Sequence, residues 1–574
     1  MRLHSFLIAI LVLVAQCASA GASQTSAHAD ESVALARPAP LSDQLGRVHH
    51  PVSTRSPLAQ RYFDQGLALA YGFNHDAAEQ SFREAARLDP NLAMAWWGIA
   101  LVLGPNYNLP GDTTRGRRAY AAVVKAAALA SNATPAEQSY IAALARRYGS
   151  DGQPTPQRDR AYADAMRALA RRYPGDPDAQ VLFAEALMDL HPWDLWSPDG
   201  SPKYDTPEIV ATLEAVLKSH PDHIGANHYY IHAIEASRHP ERAMASADRL
   251  GSLAPAAGHL VHMPSHIYIR TGRFGQSAEA NRKAVKADEV FLLQTGQTGW
   301  YPLMYYTHNL HFLAYSLMAE GAGTQALRTA RKLQTKIPLE EVPAMPQMEY
   351  LTPFTYLVMA RFGHWDEILA VPKPPVELSF TQALWHYARG MAFAAKHRLN
   401  EAKKEQASLE SLAAATPPDR IIDVVTPART VLKLACATLA AEIAARQGNG
   451  RQAATYYRQA VALQDSLPYE EPPVWYYSAR ESLGRQLIAL GDFAGAQTVF
   501  AQDLARNPDN PLSVQGLALC LAARSKQQAA SRQHKRFRRL WAAADVKPES
   551  MQPAADANPA TGRDLSEASH NAMY

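Results

Sequence analysis

A recurrence of matched small and large side chains every 34 residues constrains this fold more than any other feature. A large, a small and a large residue, spaced by four and three positions, recur one period apart: Tyr62, Gly66 and Leu69, then Trp96, Ala100 and Leu103. Between them, Ala78, Phe82 and Ala85 continue a helical spacing, and Pro90 ends it because proline lacks an N–H and clashes with the preceding turn. Tandem helix pairs are therefore predicted, each packed mainly on its neighbours.

The same pattern returns near the C-terminus, where its members are Leu483, Gly484, Leu487, Ala496, Phe500 and Pro508. Weaker copies surround Ala243, Ala326, Gly390 and Ala453. No segment alternates apolar and polar residues as a strand would. We therefore predict an all-α solenoid of antiparallel helix pairs over residues 58–545.

These positions resemble the tetratricopeptide repeat (TPR), and several longer segments resemble a large bacterial family of such proteins with distant eukaryotic relatives. The segments are FNHDAAEQSFREAARLDP (73–90), WWGIALVLGPNYN (96–108), HPWDLW (191–196), NHYYIHAIEAS (227–237), GHLVHMPSHIYIRTGRF (258–274) and HNLHFL (308–313). The resemblance implies a superhelix in which one face of the first helix of each pair lines a concave groove. It implies no particular reaction or metal.

The N-terminus predicts export. Arg2, an apolar run over residues 6–15 and the small residues Ala18-Ser19-Ala20 are typical of a signal peptide cleaved after Ala20, which would place the protein in the periplasm or outside the cell. A lipid anchor on Cys17 is an alternative, although Gln16 stands where a small residue is usual. No later segment is apolar for long enough to predict a membrane span.

Composition divides the rest of the chain. Residues 21–55, rich in Ala, Ser and Pro, predict a disordered leader, and residues 546–574 a disordered tail. Between them we expect N-terminal repeats over 56–190, central histidine-rich repeats over 191–340 and C-terminal repeats over 341–545. Three stretches rich in proline and aromatic residues interrupt the helices, either as plain connections or as lids over a groove: Gly104–Asp112, His191–Pro207 and Pro468–Tyr476.

Charge and cysteine content exclude several classes of function. Removing residues 1–20 removes one of the 57 basic residues, Arg2, and leaves 56 basic against 54 acidic residues. A nearly neutral chain argues against nucleic acid as a partner. Cys436 and Cys520 then remain, both in helical stretches, and two thiols predict neither a disulfide framework nor a zinc knuckle.

Histidines are concentrated in the centre of the chain, where nine of the 21 lie within residues 223–311. Their register is more informative than their number. The pair His228 and His232 recurs 34 residues later as His262 and His266, at positions 5 and 9 of consecutive repeats. On a helix these positions lie about 110° from the packing stripe. The histidines therefore share a face that is not the packing face.

A second pair follows the same rule. His259 and His262, at positions 2 and 5, recur as His308 and His311 after one period and a 15-residue insertion. Because the first helices of neighbouring repeats pack side by side, imidazoles from three repeats are expected to converge. His386 falls on the packing stripe and is expected to be structural.

Converging imidazoles predict a transition-metal site, because histidine is the commonest metal ligand in proteins. Glu235 lies one turn beyond His232 and can ligate a metal or orient an imidazole. Without thiolates the ligands are nitrogen and oxygen, which suits zinc, copper or iron. The predicted ligands are His228, His232, Glu235, His259, His262, His266, His308 and His311.

The sequence alone leaves one alternative to a metal site open. In that alternative the histidines only form hydrogen bonds, and the groove binds a peptide or protein partner, which is the commonest function of this repeat class. Nothing in the sequence matches a serine or cysteine triad, a phosphate loop, a dinucleotide fingerprint or the HExxH zinc-protease motif. Whether a bound metal would make the protein an enzyme is therefore undecided.

Overall fold

The computed structural model describes residues 40–548, and within that range the regular structure is helical apart from three isolated β-bridges. The predicted all-α solenoid is confirmed. The first helices are α1 (Pro57–Tyr71), α2 (His75–Leu88), α3 (Ala93–Val102), α4 (Thr113–Ala128), α5 (Pro135–Leu144), α6 (Pro156–Arg172), α7 (Pro177–Met188) and α8 (Thr206–Ser219).

The central and C-terminal helices continue the array. The central ones are α9 (Ile224–Glu235), α10 (Met244–Leu253), α11 (Gly258–His262), α12 (Pro264–Arg270), α13 (Phe274–Thr295), α14 (Thr307–Ala319) and α15 (Gly323–Gln334), with a π-helical turn at Pro302–Tyr306. The last ones are α16 (Phe354–Arg361), α17 (Trp365–Ala370), α18 (Ser379–Ala395), α19 (Leu399–Ala415), α20 (Ala428–Arg446), α21 (Gly450–Asp465), α22 (Ala479–Ala489), α23 (Phe493–Arg506), α24 (Pro511–Ala523) and α25 (Gln527–Leu540).

Close helix contacts around a phenylalanine explain the small positions of the repeat. Phe82 is fully buried between α1 and α3, and a Cβ added at Gly66 or Gly98 would lie 2.6 or 2.5 Å from its ring. Phe500 is enclosed in the same way near the other end of the array, where a Cβ at Gly484 would lie 2.3 Å from its ring. A side chain at these glycines would push the helices apart, so the predicted packing stripe is confirmed.

The superhelix also brings distant repeats into contact, which the expectation of packing on immediate neighbours did not include. His228 Nδ1 on α9 lies 2.6 Å from the carbonyl oxygen of Tyr71 at the end of α1. Gln297 donates to Asn74 at 3.2 Å, across 223 residues of sequence. The first repeat therefore forms part of the wall around the central histidine helices.

The prediction of a disordered leader is wrong for residues 40–55. Residues 40–55 pack on the repeats rather than being disordered: the backbone N–H of Ser42 donates to Gln65, and His50 Nδ1 lies 2.8 Å from Asp178 Oδ2. Hydrogen bonds to side chains on α1 and α7 order this segment. A prediction from the composition of the segment could not include these partners, because they lie elsewhere in the chain. The predicted signal peptide, the leader to residue 39 and the tail from residue 549 lie outside the described residues.

Two further expectations can be compared with the described part of the chain. None of the helices between residues 40 and 548 is both long and apolar enough to cross a bilayer. Cys436 and Cys520 are both free thiols, with Cys520 buried and Cys436 half-buried. The predicted absence of a disulfide between them is confirmed.

Candidate metal centre

Three neighbouring helical segments carry the predicted ligands. His228, His232 and Glu235 lie on α9, His259, His262 and His266 lie on α11 and α12, and His308 and His311 lie on α14. The ring centroids of His232 and His266 are 5.5 Å apart, so the predicted approach of the two 34-residue-related pairs is confirmed. Met263, between α11 and α12, keeps helical dihedral angles, and the histidines on both sides of it therefore keep one angular register.

Four of the histidines, His232, His259, His266 and His308, line a cavity, and the cluster is buried rather than exposed in an open groove. His228, His232, His259, His262 and His266 are each at most 2% exposed, and His308 is half-buried. All three predicted loops contribute to a cavity of about 340 Å³, through Asn108, Trp193 and Glu470 among others. This arrangement favours the interpretation of the loops as lids over that of plain connections.

On α9, both imidazoles have their Nδ1 atoms held by an acceptor. His228 Nδ1 donates to the carbonyl oxygen of Tyr71, which can only accept. His232 Nδ1 lies 3.0 Å from Glu235 Oε1 and donates to that carboxylate, while its Nε2 is buried without a partner. The lone pair of each neutral ring is therefore on Nε2.

On α11 and α12 the same arrangement is repeated. His262 Nδ1 lies 2.7 Å from Asn281 Oδ1, and the amide of Asn281 is oriented by its own donation to the Ser277 carbonyl at 2.8 Å. His266 Nδ1 lies 2.5 Å from Glu235 Oε2 and also contacts the carboxylate of Glu471. His262 likewise presents an Nε2 lone pair, and His266 presents one when its ring is deprotonated.

The free nitrogens converge on one another. His228 Nε2 lies 3.1 Å from His259 Nε2, and His262 Nε2 lies 2.7 Å from His266 Nε2. Ring nitrogens of each of two trios fall within 4.8 Å of one another: His228, His232 and His259, then His262, His266 and His308. At 2.7 Å, a proton on His266 Nε2 that is donated to His262 Nε2, or a metal cation, lies between the two nitrogens.

Burial sets the protonation state of most of these rings. It lowers the pKa of His228, His232, His259 and His262 well below 6.5, and neighbouring imidazoles add to this effect. Those four rings are therefore neutral near neutral pH and have a lone pair to donate. His266 differs: burial again acts to lower its pKa, but the carboxylates of Glu471 and Glu235 outweigh burial and raise it.

Glu235 and His311 differ from the other predicted ligands. Glu235 orients two imidazoles, because its carboxylate oxygens accept from the Nδ1 atoms of His232 and His266, and its carboxylate also forms a potential ligand group with those two rings. The ring of His311 packs edge-on against Phe354, with centroids 4.3 Å apart, and it belongs to none of the ligand groups within the described residues. His311 lies one turn from His308, and that angular offset turns it away from the cluster.

Sequence reasoning missed several residues of the site. Glu470 and Glu471, from the loop before α22, and Asp423, from the segment before α20, all line the cavity. Phe73, held at a positive φ of 56°, places its ring 4.6 Å from that of His228. The sequence offered one signal for the two glutamates: they are consecutive acidic residues inside a loop rich in proline and aromatic residues. Solvent-exposed charge is not expected in such a loop, so the pair could have been considered part of the site.

His386, expected on the packing stripe, lies outside this cluster. It is half-buried, and its Nδ1 lies 2.5 Å from Glu405 Oε2. Arg389 donates to the other oxygen of the same carboxylate at 2.8 Å. His386 is therefore part of a local ion-pair network between α18 and α19.

Comparisons with known proteins agree with the repeat pattern. Residues 59–92 match the family model described as tetratricopeptide repeat. Human IFIT1, solved as a dimer with m7Gppp-AAAA, aligns at 11% identity over 85% of this chain and 91% of that chain, with a TM-score of 0.31. The Cut9 and Hcn1 hetero-tetramer of APC/C aligns at 13% identity over 86% of this chain and 80% of that chain, with a TM-score of 0.32.

Curated protein sequences give no match to this chain. Structural alignments with TM-scores of 0.31 and 0.32 carry no inference about the histidine cluster or a function. Residues 59–92 therefore form a recognisable tetratricopeptide repeat. The described chain is an all-α solenoid of tandem helix pairs that contains at least this one repeat.

Proposed function

We propose that the buried histidine cluster binds one or two transition-metal ions. The observation that carries this proposal is that the Nδ1 atoms of His228, His232, His262 and His266 are each held by an oxygen acceptor. Their Nε2 atoms are thereby left to converge. Metal-binding histidines are typically oriented in this way, by carboxylates and backbone carbonyls on the ring nitrogen that does not bind the metal.

The two trios of ring nitrogens describe two neighbouring three-coordinate sites. Nitrogen donors without thiolates suit Zn²⁺, Cu²⁺ or Fe²⁺. Two nitrogens on one tetrahedral ion lie about 3.3 Å apart when each bond is about 2.0–2.1 Å. The 3.1 Å separation of His228 and His259 is close to that value, whereas His262 and His266 at 2.7 Å would have to separate by about 0.6 Å.

The surrounding cavity leaves room for water or a small substrate beside an ion. A metal with an open coordination position facing that space would lower the pKa of bound water, so a hydrolytic or oxidative activity is compatible with the site. We also propose that the protein acts after export, because residues 1–20 read as a cleavable signal peptide. N-terminal sequencing of the mature protein tests that export.

The decisive experiment measures metal bound to protein purified without a histidine tag, before and after reconstitution with Zn²⁺, Cu²⁺ and Fe²⁺. We expect stoichiometric metal in the wild type and a loss of at least half in the His262→Ala variant. His386→Ala is the control, since its ring is held by Glu405 outside the cluster. Absence of metal in every sample would reject the proposal and leave a peptide- or protein-binding scaffold, the role typical of the repeat class.

A further inference from the structure

Beside the histidines, the same cavity contains carboxyl groups that the proposed metal sites do not use. Asp423 Oδ2, Glu470 Oε2 and Glu471 Oε1 are all buried and make no hydrogen bond within the described structure. Glu471, 3% exposed, contacts His266 through its other oxygen. No ion pair is seen for Asp423 or Glu470 in the described structure. A buried carboxylate oxygen without a hydrogen-bond partner is unfavourable, so Asp423 Oδ2 and Glu470 Oε2 favour a ligand that donates to them.

The backbone N–H groups of Val425 and Thr426 donate to Asp423 Oδ1 at 2.8 and 2.7 Å, but Asp423 Oδ2 and Glu470 Oε2 have no donor within the described structure. No lysine or arginine is among the described residues that line the cavity. Burial raises the pKa of both Glu470 and Asp423. The negative charges of Asp423 and Glu235 raise the pKa of Glu470 further. The ionised forms of these groups are thus unfavourable in the empty cavity and would be favoured by a bound cation.

These two carboxyls do not complete a metal site with other side chains. Neither Asp423 nor Glu470 belongs to any group of three potential metal ligands in the described chain. Ammonium N–H groups instead bind carboxylate oxygens directly, at about 2.8 Å.

Aromatic rings form much of the remaining wall. Trp193, Trp300, Tyr305 and Tyr350 line the cavity together with apolar side chains such as Leu351. Aromatic faces attract organic cations and bury the hydrocarbon part of a ligand. The cavity therefore combines anionic groups, aromatic faces and a volume of about 340 Å³, enough for a small organic molecule.

We propose that this cavity binds a small organic amine, with its ammonium group held by Asp423 and Glu470 and its apolar body against Trp300 and Tyr350. The proposal goes beyond metal binding and does not require it, because neither carboxyl belongs to a metal trio. In a metal-loaded protein the amine would lie beside the ions as a ligand or substrate.

Titration calorimetry with 2-phenylethylamine, and with 2-phenylethanol as its neutral counterpart, tests the proposal on metal-free full-length protein. We expect the amine to bind at least tenfold more tightly than the alcohol. The double variant Asp423→Asn, Glu470→Gln should lose at least tenfold in amine affinity while its affinity for the alcohol stays within about threefold. Glu410→Gln, at an exposed carboxylate outside the cavity, should leave amine binding unchanged.

Each result decides the proposal separately from the metal site. Equal affinities for amine and alcohol, unchanged amine binding in the double variant, or no amine binding up to millimolar concentration would each overturn it. Because the protein is metal-free, amine binding in a chain that never takes up metal would support the amine site and reject only the metal proposal. Metal uptake without amine binding would do the opposite.

Discussion

Replacing Glu235 by glutamine tests whether one carboxylate orients two metal ligands. Both of its oxygens accept ring N–H groups, Oε1 from His232 at 3.0 Å and Oε2 from His266 at 2.5 Å. Glutamine has one oxygen and one NH₂ group, so it can accept from only one of the two rings. The other ring would turn its Nδ1 into an acceptor and carry its proton on Nε2, which removes that Nε2 as a ligand.

The expected loss follows from this change of tautomer. Removing a group that orients metal-binding histidines typically costs 10–100-fold in metal affinity, about 1.4–2.7 kcal/mol. We therefore expect the Glu235→Gln variant to bind Zn²⁺ 10–100-fold more weakly than the wild type. Competition with a chromophoric chelator of known affinity, at about pH 7.5 where free imidazole is mostly neutral, measures the ratio.

A matched control is available at the protein surface. Glu241 Oε1 accepts from His239 Nδ1 at the same 3.0 Å separation, but these side chains are 59% and 70% exposed. The Glu241→Gln variant should bind Zn²⁺ like the wild type. Wild-type affinity in Glu235→Gln, or an equal loss in both variants, would show that Glu235 does not hold the ligands in their metal-binding tautomers.

Three further predictions concern stability and the limits of the site. In Asp178→Asn we expect the free energy of unfolding to fall by about 3 kcal/mol, because a buried carboxylate paired with both His223 and His50 is removed. Burial opposes both shifts, but hydrogen bonds from His223 and His50 lower the pKa of Asp178, and Asp178 raises the pKa of His50. The pair of Asp178 and His50 therefore stabilises the fold fully between pH 3.8 and 6.5 and progressively less above pH 6.5. Urea unfolding at about pH 6 and about pH 9 measures this difference, and an equal loss of stability in the variant at both pH values would contradict it. In His311→Ala we expect unchanged metal content with a stability loss of about 2 kcal/mol, and metal loss equal to that of His262→Ala would refute its placement outside the cluster. In Gly225→Ala the new Cβ would lie 2.5 Å from the Tyr71 ring, so thermal unfolding should show a loss of about 1–3 kcal/mol, and an unchanged melting temperature would contradict the close approach of α1 and α9.

Much of the histidine cluster was predictable because a helical repeat converts sequence spacing into direction. A 34-residue offset returns a residue to the same position of the next helix pair, so His262 and His266 had to face His228 and His232 if the helices pack side by side. Their observed contacts confirm that reasoning. The same rule was too coarse for His311, since a single turn of α14 separates a ring in the cluster from one packed on Phe354.

The roles of individual groups were less predictable, since they depend on hydrogen-bond partners from elsewhere in the chain. Glu235 was expected either to ligate or to orient, and only the positions of two Nδ1 atoms show that it contacts both rings at once. The carbonyl oxygen of Tyr71, which holds His228, is 157 residues away and carries no sequence signal, because every residue has a carbonyl.

By itself, the sequence determined the helix pairs, their packing stripe and the shared face of the histidines, because these depend on contacts within a repeat and between adjacent repeats. The tertiary structure alone decided that this face is buried. Small rotations between successive repeats add up along the superhelix and carry α1 against α9. They also carry Glu471 against His266, some two hundred residues earlier in the chain. The total rotation depends on every interface between successive repeats, so no local sequence pattern predicts it.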